Sequence, residues 1–314
     1  MKKCLYDTAE RERLAYRLLP QEEEQWLARG GDLVHWSRLR AGDKSAATLV
    51  LLHGAASNAS RWEEFVENSS LRGCCDMIRL DARTHASSVS SRRASLEMWC
   101  ADLEALLEKA RVQRPVLVGH SLGAHVAMHF AAARPEKTAG LVLLDPLVSE
   151  ALSPKALAMK RRRVLVAFLE KAARALNRLG VHRRLVRQDL RAMDRAAREK
   201  LAQGGRALED FIRSYSSVWA DLKYMHAACY LRDMLEAGRA SPAPQAIKAP
   251  VLAIAASGGT YTDADLMRRW AASLPEGTLQ TVHCAHWPLT ECPQEVDRVV
   301  AKWIKERFVL LAAD

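Results

Sequence analysis

A serine placed between a strand and a helix is the first side chain in this sequence that could act as a nucleophile. The pattern Gly-x-Ser-x-Gly spans residues 119–123, after an apolar run at 115–118 and before a nearly all-apolar helical run at 122–133. A serine on such a turn projects its hydroxyl beyond the end of the sheet, and the glycines avoid the clash that a Cβ atom would cause. Unpaired N–H groups at the start of the helix can bind an oxyanion. These features predict Ser121 as a nucleophile.

A histidine near the C-terminal end is the predicted general base, because a neutral serine hydroxyl needs a positioned base to become reactive. Ten histidines are present. His286 follows the last strand-like run, at 279–282, and comes after the serine in the chain order that this chemistry shows on α/β sheets. His125 and His129 lie on the apolar helix, where they are better explained as core imidazoles. His283, at the end of the strand-like run, is the remaining rival.

Strand-like and helical segments alternate along most of the chain, and they would bring these residues together. A helix at 10–19 and a hairpin at 25–36 are predicted first. Short apolar runs, typical of strands buried on both faces, follow at 48–52, 77–80, 115–118, 141–144, 251–255 and 279–282. Helical patterns lie at 96–110, 122–133, 265–274 and 294–308. The alternation predicts an α/β fold with a mostly parallel sheet and helices on both of its faces.

Residues 147–246 interrupt this alternation, because they contain no strand-like run. Helical patterns cover 154–179, 185–201, 208–219 and 222–236. The segment holds 20 Lys and Arg but only 10 Asp and Glu, so the whole net charge of +10 lies within it. We therefore predict two domains, a core made of 1–146 and 247–314 and an all-helical, basic domain at 147–246.

Four motifs resemble the α/β-hydrolase superfamily, in its branch of bacterial esterases, lipases and carbon–carbon hydrolases that carry a cap. The resemblance covers 48–146 and 247–308. The sequence His-Gly-Ala-Ala at 53–56 is similar to an oxyanion loop, 119–123 to a nucleophile elbow, and 285–293 to a catalytic-histidine segment. Residues 81–88 are similar to Asp-x-Arg-Gly-His-Gly-x-Ser, with Thr84 and Ala86 in place of glycines.

The resemblance also implies roles for particular groups. The backbone N–H groups of Leu122 and Ala55 would form the oxyanion hole. The basic helical segment would be a cap that roofs the active site. Side chains that brace the loops beneath the site would be His53, Asp81, Arg83 and His85.

The carboxylate that should orient the imidazole is the point where this chain departs from the superfamily. The resemblance places it after the fifth strand in a Gly-x-x-Asp pattern, but the chain has Gly258 and Gly259 there. Asp145, at the end of the preceding strand, is the favoured replacement. Asp263 and Asp265 are alternatives, although they fit the N-cap and first turn of a helix. A site without an acid is the third alternative.

The basic segment also suggests partners. Arginines recur at helical spacing at Arg187, Arg191, Arg195 and Arg198. Like charges at this spacing repel unless Asp189, Asp194 and Glu199 compensate them, which would give a solvated face. This stripe could instead attract anionic lipid, because a basic amphipathic helix is what binding at a membrane surface needs. An apolar stripe at 164–179 is also flanked by basic residues. An acidic substrate is a further alternative. No nucleic-acid partner is expected, since no binding motif is present.

The composition predicts a cytoplasmic protein. It shows no secretory h-region and no apolar run of the roughly 20 residues that a spanning helix needs. Its cysteines are odd in number and lack metal-type spacing, which favours free thiols: Cys4, Cys74, Cys75, Cys100, Cys229, Cys284 and Cys292. No metal and no cofactor is expected, and the sequence does not indicate an oligomeric state.

Together these features predict a serine hydrolase that cleaves a carboxylic ester, either a lipid or a small acyl ester, through an acyl-enzyme on Ser121. One alternative is a carbon–carbon bond hydrolase or lactonase on the same residues. Another, suggested by the missing Gly-x-x-Asp, is a degenerate hydrolase that binds a ligand or partner. Dehalogenases and epoxide hydrolases are disfavoured, because those relatives carry aspartate where this chain has Ser121.

Overall fold

The computed structural model describes residues 8–42, 45–90, 92–181, 183–258 and 260–309. Of the residues discussed above, Cys4 and Gly259 lie outside these ranges. The six cysteines within them are free thiols. In the same ranges no helix is both long and apolar enough to cross a bilayer.

One sheet of eight strands forms the centre of the molecule. The strands are β1 (Glu22–Arg29), β2 (Asp32–Leu39), β3 (Ala47–Leu52), β4 (Cys75–Leu80), β5 (Val116–His120), β6 (Gly140–Leu144), β7 (Val251–Ala256) and β8 (Gly277–Val282). Their order is β1-β2-β4-β3-β5-β6-β7-β8. Strands β1 and β2 form the predicted hairpin. The β1–β2 and β2–β4 pairs are antiparallel, and the other pairs are parallel. The six predicted apolar runs are β3 to β8.

Helices cover both faces of the sheet, as predicted. The helices are α1 (Thr8–Leu14), α2 (Glu63–Asn68), α3 (Leu96–Ala110), α4 (Leu122–Ala133), α5 (Pro154–Arg161), α6 (Arg163–Arg178), α7 (Leu190–Leu201), α8 (Ala207–Tyr215), α9 (Val218–Asp221), α10 (Ala227–Ala237), α11 (Ala264–Ser273), α12 (Pro288–Glu291) and α13 (Pro293–Ile304). One apolar cluster joins the sheet to α3, α4 and α11, and a second joins it to α2 and α13. The carboxyl ends of β3, β5, β6 and β7 therefore meet at one edge, between two packed layers.

The predicted helix at 10–19 is too long, because α1 ends at Leu14. The residues after it run extended toward β1, where Tyr16 is buried and donates a hydrogen bond to the Ser37 hydroxyl at 2.8 Å. Leu19 is also buried against the sheet. Tertiary packing of these two side chains outweighs the local helical pattern.

We call residues 147–246 the insert. Apart from His182, which lies outside the described ranges, the insert contains helices α5 to α10 and no strand; one isolated bridge pairs its Leu152 with Thr262. Two predicted helices are each divided, at Arg162 and between Tyr215 and Val218. Whether the insert is an independent domain stays a prediction.

Buried polar contacts hold the insert on the rest of the chain. The Arg61 guanidinium pairs with Asp194 on α7, and both side chains are almost fully buried. Asp233 on α10 lies 2.8 Å from the Nε2 atom of His85. The backbone N–H of Leu96 donates to Glu236 on α10 at 2.9 Å. A buried charge without its partner is costly, so each contact depends on both segments.

The loop after β4 holds two residues in a conformation that favours glycine. The φ angle is +78° at Thr84 and +40° at Ala86. These are the two positions at which the resemblance leads one to expect glycine. A residue with a Cβ atom in the left-handed region is strained by roughly 1–2 kcal/mol. The chain therefore holds two residues with a Cβ atom in a loop conformation that favours glycine.

Ala86→Gly is expected to raise the free energy of unfolding by about 0.5–1 kcal/mol, because relief of strain exceeds the entropy that glycine adds to the unfolded chain. Ala196→Gly, at an exposed position inside α7, is the matched control and should lower it by about 0.5–1 kcal/mol. Urea denaturation of both variants measures the two changes. A loss of stability in both would contradict strain at Ala86.

Candidate active site

Ser121 occupies a sharp turn between β5 and α4. Its backbone has a φ of +50° and a ψ of −113°, and its N–H donates to the carbonyl of Leu144 at 3.1 Å. A Cβ atom added at Gly119 would come within 2.5 Å of the backbone of Gly123 and Ala124. The turn is therefore as tight as the sequence pattern predicts, and this strained conformation is held by its surroundings.

Two backbone N–H groups beside the serine are unused. Leu122 is the first residue of α4, so its N–H has no partner within the helix. Ala55 follows β3 in the neighbouring loop. Among the described residues neither N–H donates a hydrogen bond. The loop lies close to the serine, because a Cβ atom at Gly54 would come within 3.4 Å of the Ser121 Cβ atom. Both groups are available to a negatively charged oxygen.

The imidazole of His286 contacts a carboxylate, and that carboxylate is Asp145. The Nδ1 atom of His286 lies 2.5 Å from Asp145 Oδ2, and both side chains are buried. Because a carboxylate can only accept, Nδ1 donates and Nε2 is left as the basic nitrogen. The other oxygen of Asp145 accepts the N–H of Ala256 at 3.1 Å and faces the Thr262 hydroxyl at 3.4 Å.

Asp145 reaches the imidazole because of where its strand ends. His120, the residue before the serine, pairs with Leu144, the residue before the aspartate. Ser121 and Asp145 therefore leave neighbouring parallel strands at the same level. Asp145 also has a positive φ, +40°, and its N–H donates to the carbonyl of Ile254 at 2.7 Å. This bond to β7 fixes the direction in which the carboxylate points.

Sequence reasoning missed a second carboxylate that holds the histidine loop. Glu291, at the end of α12, accepts the backbone N–H groups of Ala285 at 2.9 Å, His286 at 3.3 Å and Trp287 at 3.0 Å. From the other side, the Nε2 atom of His120 lies 2.9 Å from the carbonyl of His286. Burial lowers the pKa of His120 well below its usual value, so its ring is neutral. The only sequence signal was a glutamate five residues after a histidine.

The rival residues lie elsewhere. His283 is exposed, with its Nδ1 atom 3.0 Å from the Ser257 hydroxyl. Asp263 caps α11 by accepting the N–H groups of Asp265 and Leu266, each at 3.0 Å. Asp265 is exposed and pairs with Arg268 at 2.6 Å. The structure therefore brings neither alternative acid to the imidazole.

Of the two histidines on α4, one is a core residue and the other, His129, is half-buried, with its Nε2 atom 3.1 Å from the carbonyl of Ala240. His125 is fully buried, and burial lowers its pKa to about 3. His129 packs against it, with ring centroids 4.7 Å apart. Within the described ranges no group of three His, Cys, Asp or Glu side chains could hold a metal ion.

The residues expected to brace the loops are buried and paired. Burial lowers the pKa of His53 to about 3, and its neutral ring accepts the N–H of Ala82 at 3.0 Å. Arg83 forms a double hydrogen bond with Asp102, at 2.7 and 2.8 Å. Asp81 accepts the N–H of Ala59 at 2.9 Å.

His85 differs from its neighbours, because it is bound to the insert. Burial alone would lower its pKa, but the Asp233 carboxylate raises the pKa above the usual value. The same oxygen of Asp233 lies 3.4 Å from the N–H of Ala56, next to one of the unused N–H groups. One residue of α10 thus links the insert to the loop beside Ser121.

The site is covered. Ser121 and His286 are each only 6% exposed. The rings of Tyr261 and His286 pack edge to face, with centroids 4.6 Å apart, and the Nζ atom of Lys155, at the start of α5, lies over the ring of that tyrosine. Burial raises the pKa of Asp221, on α9, to about 7. Little of the Ser121 and His286 side chains therefore contacts solvent.

The expected compensation of the arginine stripe is partly wrong. Arg191 pairs with Glu63 at 2.8 Å and with Glu67, and Arg198 pairs with Glu64 at 2.6 Å. These glutamates lie on α2, outside the insert. Of the three acidic residues expected to compensate the stripe, Asp194 binds Arg61 instead. Asp189 caps α7 and lies 3.9 Å from Arg187. Glu199 is exposed.

Comparison with known proteins decides the family. A sequence profile of the Alpha/beta hydrolase family matches residues 49–299. The chain belongs to this family. The family match and the sheet order described above together confirm the fold predicted from the sequence. This hydrolase also resembles the solved structure of a thermophilic esterase from Thermogutta terrifontis, with a TM-score of 0.65 and 19% identity over 91% of this chain and 99% of that chain.

Two curated relatives at 30% identity or more match only part of this hydrolase. An sn-1-specific diacylglycerol lipase of Mus musculus is 34% identical over 104 residues, 33% of this chain and 34% of that protein. A 2-hydroxy-6-oxononadienedioate/2-hydroxy-6-oxononatrienedioate hydrolase of Pseudomonas putida is 30% identical over 115 residues, 35% of this chain and 39% of that protein. The matched stretch spans little more than a third of these relatives, so their names do not establish the substrate of this hydrolase.

Proposed function

We propose that this hydrolase cleaves a carboxylic ester through an acyl-enzyme on Ser121, with His286 as general base and Asp145 as the acid of the triad. The observation that carries the proposal is the contact between Asp145 and His286, made at the same sheet edge as the Ser121 turn. Without that contact the imidazole would have no group to fix its tautomer.

The first half of the reaction is acylation. The Nε2 atom of His286 takes the proton of the Ser121 hydroxyl as its oxygen attacks the acyl carbon. The N–H groups of Leu122 and Ala55 stabilise the negative charge that develops on the carbonyl oxygen. The C–O bond of the ester then breaks, and the imidazolium returns its proton to the leaving alcohol. In the second half, a water molecule repeats the attack and releases the carboxylic acid.

A carbon–carbon bond hydrolase or lactonase remains the second candidate, supported by the Pseudomonas putida relative. The degenerate-hydrolase alternative loses its only support, because the argument for it was the missing acid and a buried carboxylate lies 2.5 Å from the imidazole.

A fluorophosphonate probe tests the proposal, because it reacts covalently only with an activated serine. Labelling of the wild-type protein is expected, and Ser121→Ala should abolish it. Ser257→Ala is the matched control: this serine is exposed, contacts His283 and should leave labelling unchanged. Labelling that persists in Ser121→Ala would assign the nucleophile elsewhere, and an unlabelled wild type would favour a binding protein. Hydrolysis of aryl esters of increasing chain length then measures the preference for the acyl group.

A further inference from the structure

The large hydrophobic side chains that remain exposed are confined to the insert. Among the described residues all of them lie between Leu157 and Trp219, and most lie between Leu157 and Val181. A soluble surface normally scatters such side chains singly, whereas a contiguous apolar patch marks an interaction site. The outward side chains concerned belong mainly to α5, α6 and the turn after α6.

Helix α6 is turned with its apolar side outward. Val164 is 79% exposed, Phe168 66% and Leu179, just past its end, 79%. The opposite side contains Glu170, which is only 1% exposed and pairs with Arg174 at 2.6 Å. This inward side packs on α10. An amphipathic surface helix normally does the reverse, with its apolar side on the core. The fold therefore presents the apolar side of α6 to a partner.

Positive charge surrounds this apolar side. Between residues 151 and 187 the sequence has eleven Lys and Arg and one acidic residue, the buried Glu170. Exposed basic residues near the helix include Lys155, Arg161, Arg162, Arg163, Lys171 and Arg178. The apolar side chains and the surrounding cations form what we call the basic-apolar face, made of residues 155–181.

We propose that the basic-apolar face docks on the surface of an anionic phospholipid bilayer. Apolar side chains enter the boundary between headgroups and acyl chains, and the surrounding cations pair with anionic lipid headgroups. A second copy of the chain does not fit, because a symmetric contact would place this positive charge against itself. The basic-apolar face does not include the arginine stripe considered from the sequence. Two arginines of that stripe, Arg191 and Arg198, pair with glutamates of α2.

The basic-apolar face adjoins the candidate active site. Lys155, at its edge, lies 5.4 Å from the ring centroid of Tyr261, and that ring packs against His286. A bilayer held against α5 and α6 would lie next to the covered serine. Use of this bilayer as a source of lipid esters for Ser121 rests on the proposed function. The docking itself does not.

Vesicle flotation tests the docking with phosphatidylcholine vesicles that contain or lack phosphatidylglycerol. Binding is expected only to the vesicles with phosphatidylglycerol, and it should weaken as salt is raised. Replacing Arg161, Arg162 and Lys171 with Gln should weaken binding on the order of 100-fold, because each basic residue near the surface contributes about fivefold. The matched control changes three exposed cations of the core, Lys248, Arg298 and Lys302, to Gln and should bind as wild type.

A second variant separates the apolar contribution from the charge. Val164→Ser, Phe168→Ser and Leu179→Ser together keep the net charge and change exposed positions, so folding should be preserved. This variant should lose binding at physiological salt. Fluorophosphonate labelling should be unchanged in every variant, which keeps failure of docking distinct from failure of the catalytic proposal. Absence of wild-type binding at low salt, or equal binding by all variants, would overturn the docking. So would a wild-type dimer that Phe168→Ser converts to a monomer.

Discussion

Ser121→Ala is expected to lower kcat for ester hydrolysis by about a million-fold, to the floor left by substrate binding and the oxyanion hole alone. The serine oxygen forms the covalent bond in the proposed reaction, so alanine removes the acyl-enzyme route altogether. The change takes away one buried oxygen at a turn whose shape is set by Gly119 and Gly123. Steady-state kinetics on an aryl ester measures the loss, and an unchanged melting temperature shows that the fold survives.

The same measurement on two further variants shows whether serine and histidine act as one unit. His286→Ala should fall to nearly the same floor, and the double variant should be hardly slower than either single one. Losses that multiply in the double variant would mean that His286 does not activate Ser121, and the general base would then have to be sought elsewhere.

Asp145→Asn is expected to lower kcat by about 10⁴-fold. The asparagine keeps an oxygen for the N–H of Ala256, but its amide donates toward the Nδ1 atom of His286, where the carboxylate accepted. The imidazole would then carry its proton on Nε2, and it could no longer take the proton of the serine. The loss should appear in kcat while binding of the substrate is little changed.

Asp263→Asn provides the control for that prediction. Asp263 was an alternative acid, and its carboxylate caps α11, a role that asparagine also fills. Its kcat should stay within about twofold of the wild type, since the cap is retained. A large loss in Asp263→Asn with a small loss in Asp145→Asn would reverse the assignment of the acid.

The sequence was informative wherever chemistry depends on neighbours along the chain. The Ser121 turn, the ends of β5 and β6, and the N-cap at Asp263 all follow from local patterns. The proximity of Asp145 to the histidine loop followed from one further rule, that parallel strands bring their carboxyl ends to the same edge. Such rules predict where a residue leaves the sheet, and the structure places the Asp145 carboxylate beside the imidazole of His286.

Contacts between segments that are distant along the chain could not be predicted from the sequence. Nothing in a helical pattern reveals that Arg191 and Arg198 find their partners on α2, because spacing along a helix describes only charges on that helix. The same limit hid the link between His85 and Asp233, which are 148 residues apart. The outward orientation of α6 was hidden too, since an apolar stripe has the same sequence whether it faces a core or a membrane.

The buried contacts between the insert and the core have a consequence for engineering. Exchange of the insert for a foreign one would disturb the core, because Arg61, His85 and the N–H of Leu96 each contact a carboxylate supplied by the insert. A graft without those carboxylates would leave one buried cation, one imidazole and one amide unpaired. A replacement insert must therefore carry carboxylates at the places of Asp194, Asp233 and Glu236. Otherwise their partners in the core must be changed at the same time.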